Sequence, residues 1–242
     1  MFDIKKFLFR NKKDQTKSFY SISQTCQIPK LDIIFENFFG KINDGCFVEV
    51  GAYDGEYTSN TCGLADIGWK GYYIEPVPEY YKKCKKRHEN NDVVVSNHAI
   101  GAENKDIEIN SGGPLSTIRD DIQVLFQSLS WARSCFDNTT KIPIKMVTLE
   151  QYLNEHNVPQ NFELLNIDVE GFEWEVLQNF EIQKWKPQMV IIELHDSNPD
   201  YKIIKNQCLN LVNYFQLHNY KIVFKDLSNT VYVTEDLYYQ QK

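Results

Sequence analysis

Phe47-Val48-Glu49-Val50-Gly51-Ala52-Tyr53-Asp54-Gly55 decides how this chain is read. The apolar run 46–50 has the length and composition of a buried strand. It breaks at Gly51 into a turn that carries a second glycine at Gly55. Glycines at a strand end let the backbone turn sharply and approach another group closely. The following stretch, 57–67, reads as a helix. Strand, glycine turn and helix in that order form the ligand-binding crossover of an open α/β sheet, where ligands sit outside the carboxyl ends of the strands.

The same alternation continues outward. Runs 71–75 and 92–96 read as strands, with a basic-faced helix over 79–88 between them. After an irregular stretch, strands follow at 142–147, 163–168 and 188–194. Thr148 with Gln151 three residues on gives a capping box that starts a helix, and 171–180 reads as another. The segment 201–218 has a helical stripe. Repeated strand–helix units predict a parallel sheet covered by helices on both faces. The ending differs: 221–225 and 230–234 are two β-rich runs joined by Asp226-Leu227-Ser228-Asn229, a predicted hairpin. Upstream, residues 1–44 read as an N-terminal helical extension, with Leu31, Ile33, Ile34 and Phe38 close to one stripe. Residues 45–242 then form the main domain. Within it, residues of about 102–141 break the pattern and read as an insertion covering a pocket.

Chemistry concentrates at the strand ends. The spacing Gly51 to Gly55 is G-x-x-x-G, not the G-x-G-x-x-G of pyrophosphate binders. Glu49 lies just upstream and Asp54 inside the turn. Negative charge there repels a pyrophosphate and suits the amino group and sulfonium of S-adenosylmethionine. Ala52 and Tyr53 belong to the same turn and count as cofactor contacts with it. Glu75 closes the second strand where an acid hydrogen-bonds ribose hydroxyls; this fits a nicotinamide cofactor equally well, so an oxidoreductase stays open as an alternative, as does a cofactor-binding module without catalysis. Ala99 and Ile100, small and apolar, would let an adenine ring lie flat. Asp168 and Glu170 share strand parity, and Glu193 and His195 stand two apart at the end of the next strand. Acids and an imidazole converging at one sheet edge make a general-base cluster, with His195 as the base and Asp168 or Glu193 orienting it. The same groups could hold a divalent cation, which is left open.

Taken together, the stretch Phe47 to Thr61, Gly68-Trp69-Lys70-Gly71, Ile74-Glu75-Pro76, Ala99-Ile100-Gly101, Leu115-Ser116-Thr117, Val147-Thr148-Leu149 and Ile167-Asp168-Val169-Glu170-Gly171 resembles the FkbM-type methyltransferases. The motifs span residues 46–195 in the family's order. The resemblance implies a Rossmann-like class I methyltransferase fold: a seven-stranded, mostly parallel sheet with a terminal antiparallel hairpin. It also implies S-adenosylmethionine as cofactor and O-methylation of a sugar or another hydroxylated natural product. By the same resemblance Glu49, Gly51, Asp54, Gly55 and Glu75 contact the cofactor, and Asp168 lies near the methyl-transfer centre. Glu49 stands where Asp is commoner, and 120–136 has no family pattern, which leaves the acceptor pocket undefined.

Composition narrows the classes. Hydrophobic residues at 42% and charged residues at 24% exclude a disordered chain. A net charge of −7 argues against nucleic acid as partner, and the run Lys82 to Arg87 reads as a solvated helix face. The six cysteines form no C-x-x-C pair and read as reduced thiols. No run approaches the ~18 apolar residues of a membrane span. The basic and aromatic residues 1–13 lack a signal-peptide core and offer at most peripheral membrane contact. The expectation is a cytoplasmic enzyme acting on a small-molecule or glycan acceptor. Ser197-Asn198-Pro199-Asp200-Tyr201 looks like the Asn-Pro-Pro-Tyr box of amino-methylating enzymes, but it follows the wrong strand, lacks the second Pro and reads as a turn.

Overall fold

A computed structural model describes residues 18–240. Its main sheet has seven strands: β1 (Cys46–Val50), β2 (Lys70–Ile74), β3 (Val93–Ser96), β7 (Leu164–Ile167), β8 (Met189–Glu193), β9 (Lys221–Lys225) and β10 (Asn229–Val233). They lie in the order β3-β2-β1-β7-β8-β10-β9. The pairs β2–β3, β1–β2, β1–β7 and β7–β8 are parallel, whereas β10 is antiparallel to both β8 and β9. Only β10 is therefore reversed, and the fold is the class I methyltransferase arrangement that the terminal hairpin foreshadowed. The chain winds outward from β1 to β3 and returns beside β1 as β7. This switch point opens a crevice at the carboxyl ends of β1 and β7.

Strand parity sorts side chains between two core layers. Val48, Val50, Tyr72, Ile74, Leu165, Ile167, Val190 and Ile192 face one layer. Phe47, Tyr73, Leu164, Met189 and Ile191 face the other, where they meet Leu31, Ile34, Phe35, Phe38 and Trp69. Helix α1 (Leu31–Phe39) thus buries its stripe against the sheet, so the described part of the N-terminal segment belongs to the domain core. Residues 1–13, with their expected membrane contact, lie outside the described residues. No described helix is long and apolar enough to cross a membrane.

The stretch read as an insertion is partly regular. Strands β4 (Ala99–Gly101), β5 (Lys105–Asn110) and β6 (Lys141–Thr148) form a second sheet in the order β4-β6-β5. Between β5 and β6, the loop around Gly113 and Pro114, helix α4 (Asp120–Ser128) and a 3-10 turn (Arg133–Phe136) lie beside the crevice. Only half of the expected capping box forms: Thr148 Oγ1 accepts from Gln151 N at 3.2 Å, but Thr148 N donates to Asn104 Oδ1 instead of to the Gln151 side chain. The helix read over 57–67 is shorter, Cys62–Asp66, because Thr58 adopts a left-handed φ of 58°. Residues 197–201 do form a turn, in which the Asn198 side chain accepts from Asp200 N. Arg87, at the end of the basic helix, pairs with Asp66 and Glu56. All six cysteines are free.

Candidate active site

The turn after β1 is anchored by its own backbone. Gly51 N and Ala52 N both donate to Ile74 O, and Asp168 N donates to Val50 O at 3.0 Å. Gly51 has φ 88°, and a Cβ there would overlap the Asp168 carbonyl oxygen. Only glycine allows β1 and β7 to end this close together. Tyr53 follows with φ 47°. Its N–H donates to Glu75 Oε2 at 2.8 Å, while Glu75 Oε1 accepts from Val77 N at 2.7 Å. Burial pushes the Glu75 carboxyl up to about 8 against the lowering effect of those two N–H groups. Glu75 is thus a fixed acceptor at the rim of the crevice.

A cavity occupies that crevice. Gly51, Tyr53 and Glu75 line one side, Ala99 and Ile100 another, and Asp168 and Glu170 its far end. His98 also lines it, and its Nδ1 is buried without a partner. Burial lowers the His98 pKa, so the ring is held neutral. In the sequence His98 is marked only by its place beside Ala99.

The remaining turn residues expected to touch the cofactor point elsewhere. Parity puts Glu49 on the Phe47 face of β1, where it is buried and bonded to the Thr61 hydroxyl, which itself lies 3.1 Å from the Tyr73 hydroxyl. Burial raises its carboxyl to about 8. Asp54 Oδ1 accepts from Glu56 N and Tyr57 N, shaping the loop. Ala52 is packed in the same layer as Phe47. Gly55 has φ 78°, its carbonyl lies 2.9 Å from His88 Nε2, and a Cβ there would press on Cys84 and His88. None of these four lines the cavity. They build the turn that the ligand-facing residues stand on.

The acids after β7 and β8 do converge. Asp168, Glu170 and Glu193 each offer a carboxylate oxygen, all within 4.8 Å of one another. Glu170 is held at a left-handed φ of 53°, an unfavourable backbone for a residue with a side chain. Its carbonyl accepts from Thr117 Oγ1, and Glu173 Oε1 accepts from Val169 N and Gly171 N. Glu173, absent from the sequence reading, therefore pins this turn. Burial and the Glu193 charge hold Asp168 and Glu170 well above the usual carboxylate range, and Glu173 at about 7.

His195 is not placed as the expected base. Its ring stacks on Tyr201 with centroids 3.6 Å apart and is only 5% exposed. It lines neither cavity at the crevice. Its Nε2 lies 3.1 Å from Glu193 Oε1, so the expected pairing of these two residues forms although β8 stops at Glu193. Burial lowers the His195 pKa, but Glu193 outweighs it and the net shift is upward.

A second cavity opens beside the same acids. Tyr57, Trp131, Leu115 and Cys135 line it, and it shares Gly51, Tyr53, Pro114, Asp168 and Glu170 with the first. Trp131 is 60% exposed and Tyr57 49%, so two large aromatic faces are open to a ligand. Tyr53 packs against Tyr80 with centroids 4.4 Å apart, walling the junction.

The profile described as the Methyltransferase FkbM domain matches residues 49–222. No curated protein sequence matches the chain. Among solved structures, an O-methyltransferase from Bacillus cereus in complex with SAH is similar at 9% identity and a TM-score of 0.48, over 88% of this chain and 84% of that one. A tRNA methyltransferase from Aquifex aeolicus gives 14% identity and 0.44, over 87% and 70%. A fibrillarin from Aeropyrum pernix with natively bound S-adenosyl-L-methionine gives 11% and 0.39, over 78% and 66%.

Proposed function

The chain belongs to the FkbM methyltransferase domain family, and on that premise we propose that it methylates a hydroxyl oxygen of a sugar or a comparable hydroxylated small molecule. The observation that carries this reading is the junction of two cavities at Asp168 and Glu170, one suited to the donor and one to the acceptor.

The first cavity fits S-adenosylmethionine by the chemistry of its lining. Glu75, fixed by two backbone N–H groups, keeps lone pairs for ribose hydroxyls. Ala99 and Ile100 offer an apolar bed for adenine, and the unpartnered His98 Nδ1 offers a polar contact at its edge. Asp168 and Glu170 in its lining favour a positively charged sulfur over a phosphate. When bound, S-adenosylmethionine supplies a methyl group made electrophilic by that sulfur.

The chain's own residues do the rest. Tyr57 and Trp131 present aromatic faces on which a sugar ring stacks. Pro114 and Leu115 close the second cavity beside the junction and limit water there. Alignment of the acceptor oxygen with the methyl carbon supplies most of the rate. A hydroxyl is a weak nucleophile, so its proton must leave as the new bond forms. Asp168, which lines both cavities, is the acceptor of that proton, and its burial together with the neighbouring Glu193 raises its proton affinity. His195 acts as a positioning residue that steadies Glu193.

Incubation with methyl-labelled S-adenosylmethionine and separate panels of sugars, phenols and amines tests the reading by mass spectrometry of the products. Label on an oxygen of a polyhydroxylated acceptor supports it. Label solely on amine nitrogen sinks the oxygen assignment. Calorimetric binding of NAD but not of S-adenosylhomocysteine sinks the donor assignment.

A further inference from the structure

We infer that Gln27 determines which acceptor enters: its side-chain amide binds a hydroxyl of the acceptor other than the one methylated. The inference rests on the reading of the second cavity as the acceptor site. Gln27 lines that cavity and not the first. Among the described residues it is the one contribution to the cavity from the segment before β1.

Neighbours on both sides fix its place. Ile28 is buried in the same core layer as Phe47. The Cys26 thiol donates to Asn60 Oδ1 at 3.4 Å, and Asn60 Nδ2 donates to Asn166 Oδ1 at 3.1 Å. Burial pushes the Cys26 thiol up to about 11, so it keeps the proton it donates. Asn166 belongs to β7, two residues before Asp168. Thr25 Oγ1 accepts from Thr58 N at 2.9 Å, and Tyr57 and Thr58 line the cavity beside Gln27. The backbone at Gln27 is thereby tied to the strand that leads to Asp168 and to the loop that carries Tyr57.

The hydrogen-bond network of this wall stops at Gln27. Ser23, Thr25, Cys26, Thr58 and Asn60 all find partners through their side chains, whereas Gln27 Oε1 is buried with none. Buried polar atoms seldom go unsatisfied. A hydroxyl in the cavity supplies the missing donor. The last torsion of a glutamine side chain is soft and roughly two-fold, so the oxygen turns to that hydroxyl while the anchored backbone stays still. The same amide carries two N–H donors, so it both accepts from and donates to neighbouring hydroxyls. It adds no charge beside Asp168 and Glu170, where a lysine or arginine would pair with the acids. Tyr57 and Trp131 then hold the apolar face of a ring, and Gln27 tests its edge for a hydroxyl. A site built to bond a hydroxyl rejects the analogue that lacks it, because its own buried group is left unpaired.

The test titrates the full chain, with S-adenosylhomocysteine present, with methyl hexopyranosides and their monodeoxy analogues, followed by ¹H–¹⁵N NMR. The Trp131 indole N–H reports entry into the cavity, and the Gln27 side-chain amide reports the contact. The expected result is a glycoside that moves both signals and binds Gln27→Leu at least about 10-fold more weakly than the wild type. One monodeoxy analogue must bind the variant as well as it binds the wild type. Equal weakening toward the parent glycoside and every analogue marks a merely structural role and overturns the inference. Should Gln27→Leu fail to fold, the wild type decides: one monodeoxy analogue must move Trp131 and leave the Gln27 amide still, and the inference is lost when every analogue moves both. A glycoside that moves Trp131 but never Gln27 removes Gln27 alone and leaves the acceptor site standing. If no glycoside moves Trp131, the acceptor reading of the cavity falls and the inference falls with it.

Discussion

The backbone at Gly51 runs so close to Asp168 that a Cβ on Gly51 would overlap the Asp168 carbonyl oxygen. The glycine of the first crossover is thus required by the neighbouring strand, and it holds the donor-side turn and the acidic turn in one rigid unit. Gly51→Ala must push the two strand ends apart and also place alanine at φ 88°. A loss of more than about 4 kcal/mol is expected. Gly40→Ala, also at positive φ but with open space around it, costs about 1–3 kcal/mol, because φ 70° with ψ −149° is a glycine-only backbone. Urea unfolding of the two variants checks this; equal losses would show that the strand contact is relaxed.

Glu75→Ala removes the acceptor that fixes Tyr53 N and Val77 N and, on the proposed reading, the ribose contact. A typical hydrogen bond contributes about 0.5–1.5 kcal/mol, and leaving a buried donor without a partner costs about 1–3 kcal/mol. S-adenosylhomocysteine affinity by calorimetry is expected to fall roughly 10- to 100-fold. An unchanged affinity would remove Glu75 from the donor site.

Trp131→Ala separates the two cavities. Trp131 lines the second cavity only, so donor affinity is expected to hold while the acceptor KM rises ~3- to 10-fold, the scale of one aromatic contact. A change in donor affinity with no change in KM would contradict the assignment of the two cavities.

Glu49 gives a prediction about stability and pH. Burial raises its carboxyl from 4.5 to about 8 in the folded chain. A group with a raised folded pKa favours the fold fully below the unfolded value and loses that contribution as pH rises through the folded value. Glu49→Gln keeps the hydrogen bond to Thr61 but has no charge to bury. Its advantage over the wild type in urea midpoint is expected to be absent at pH 4.5 and to grow up to about pH 8. A constant difference across that range would show that Glu49 is charged throughout.

Much of the site is legible in residue order because its signals are local. Glycine at a turn, an acid at a strand end and small residues after the next strand mark Gly51, Glu75, Ala99 and Ile100, and all four line the first cavity. Glu49 and Asp54 are as conspicuous in sequence, yet one faces Thr61 and the other caps its own loop. The motif reports that an acid is present but not which side of the strand binds. His195 stands beside Glu193 as its spacing suggests, yet its ring stacks on Tyr201 and lines neither cavity, which spacing alone does not reveal.

What the sequence determined by itself was the alternation of elements, the reversed terminal hairpin and the acidic first crossover, because periodicity and turn chemistry act over a few residues. Tertiary structure alone decided that Trp131 and Tyr57 share a cavity with Asp168, that Glu173 pins the acidic turn, and that Glu193 stands between Asp168 and His195. Those relations join residues far apart in the chain, and they exist only once the sheet has closed and burial has fixed which polar atoms find a partner.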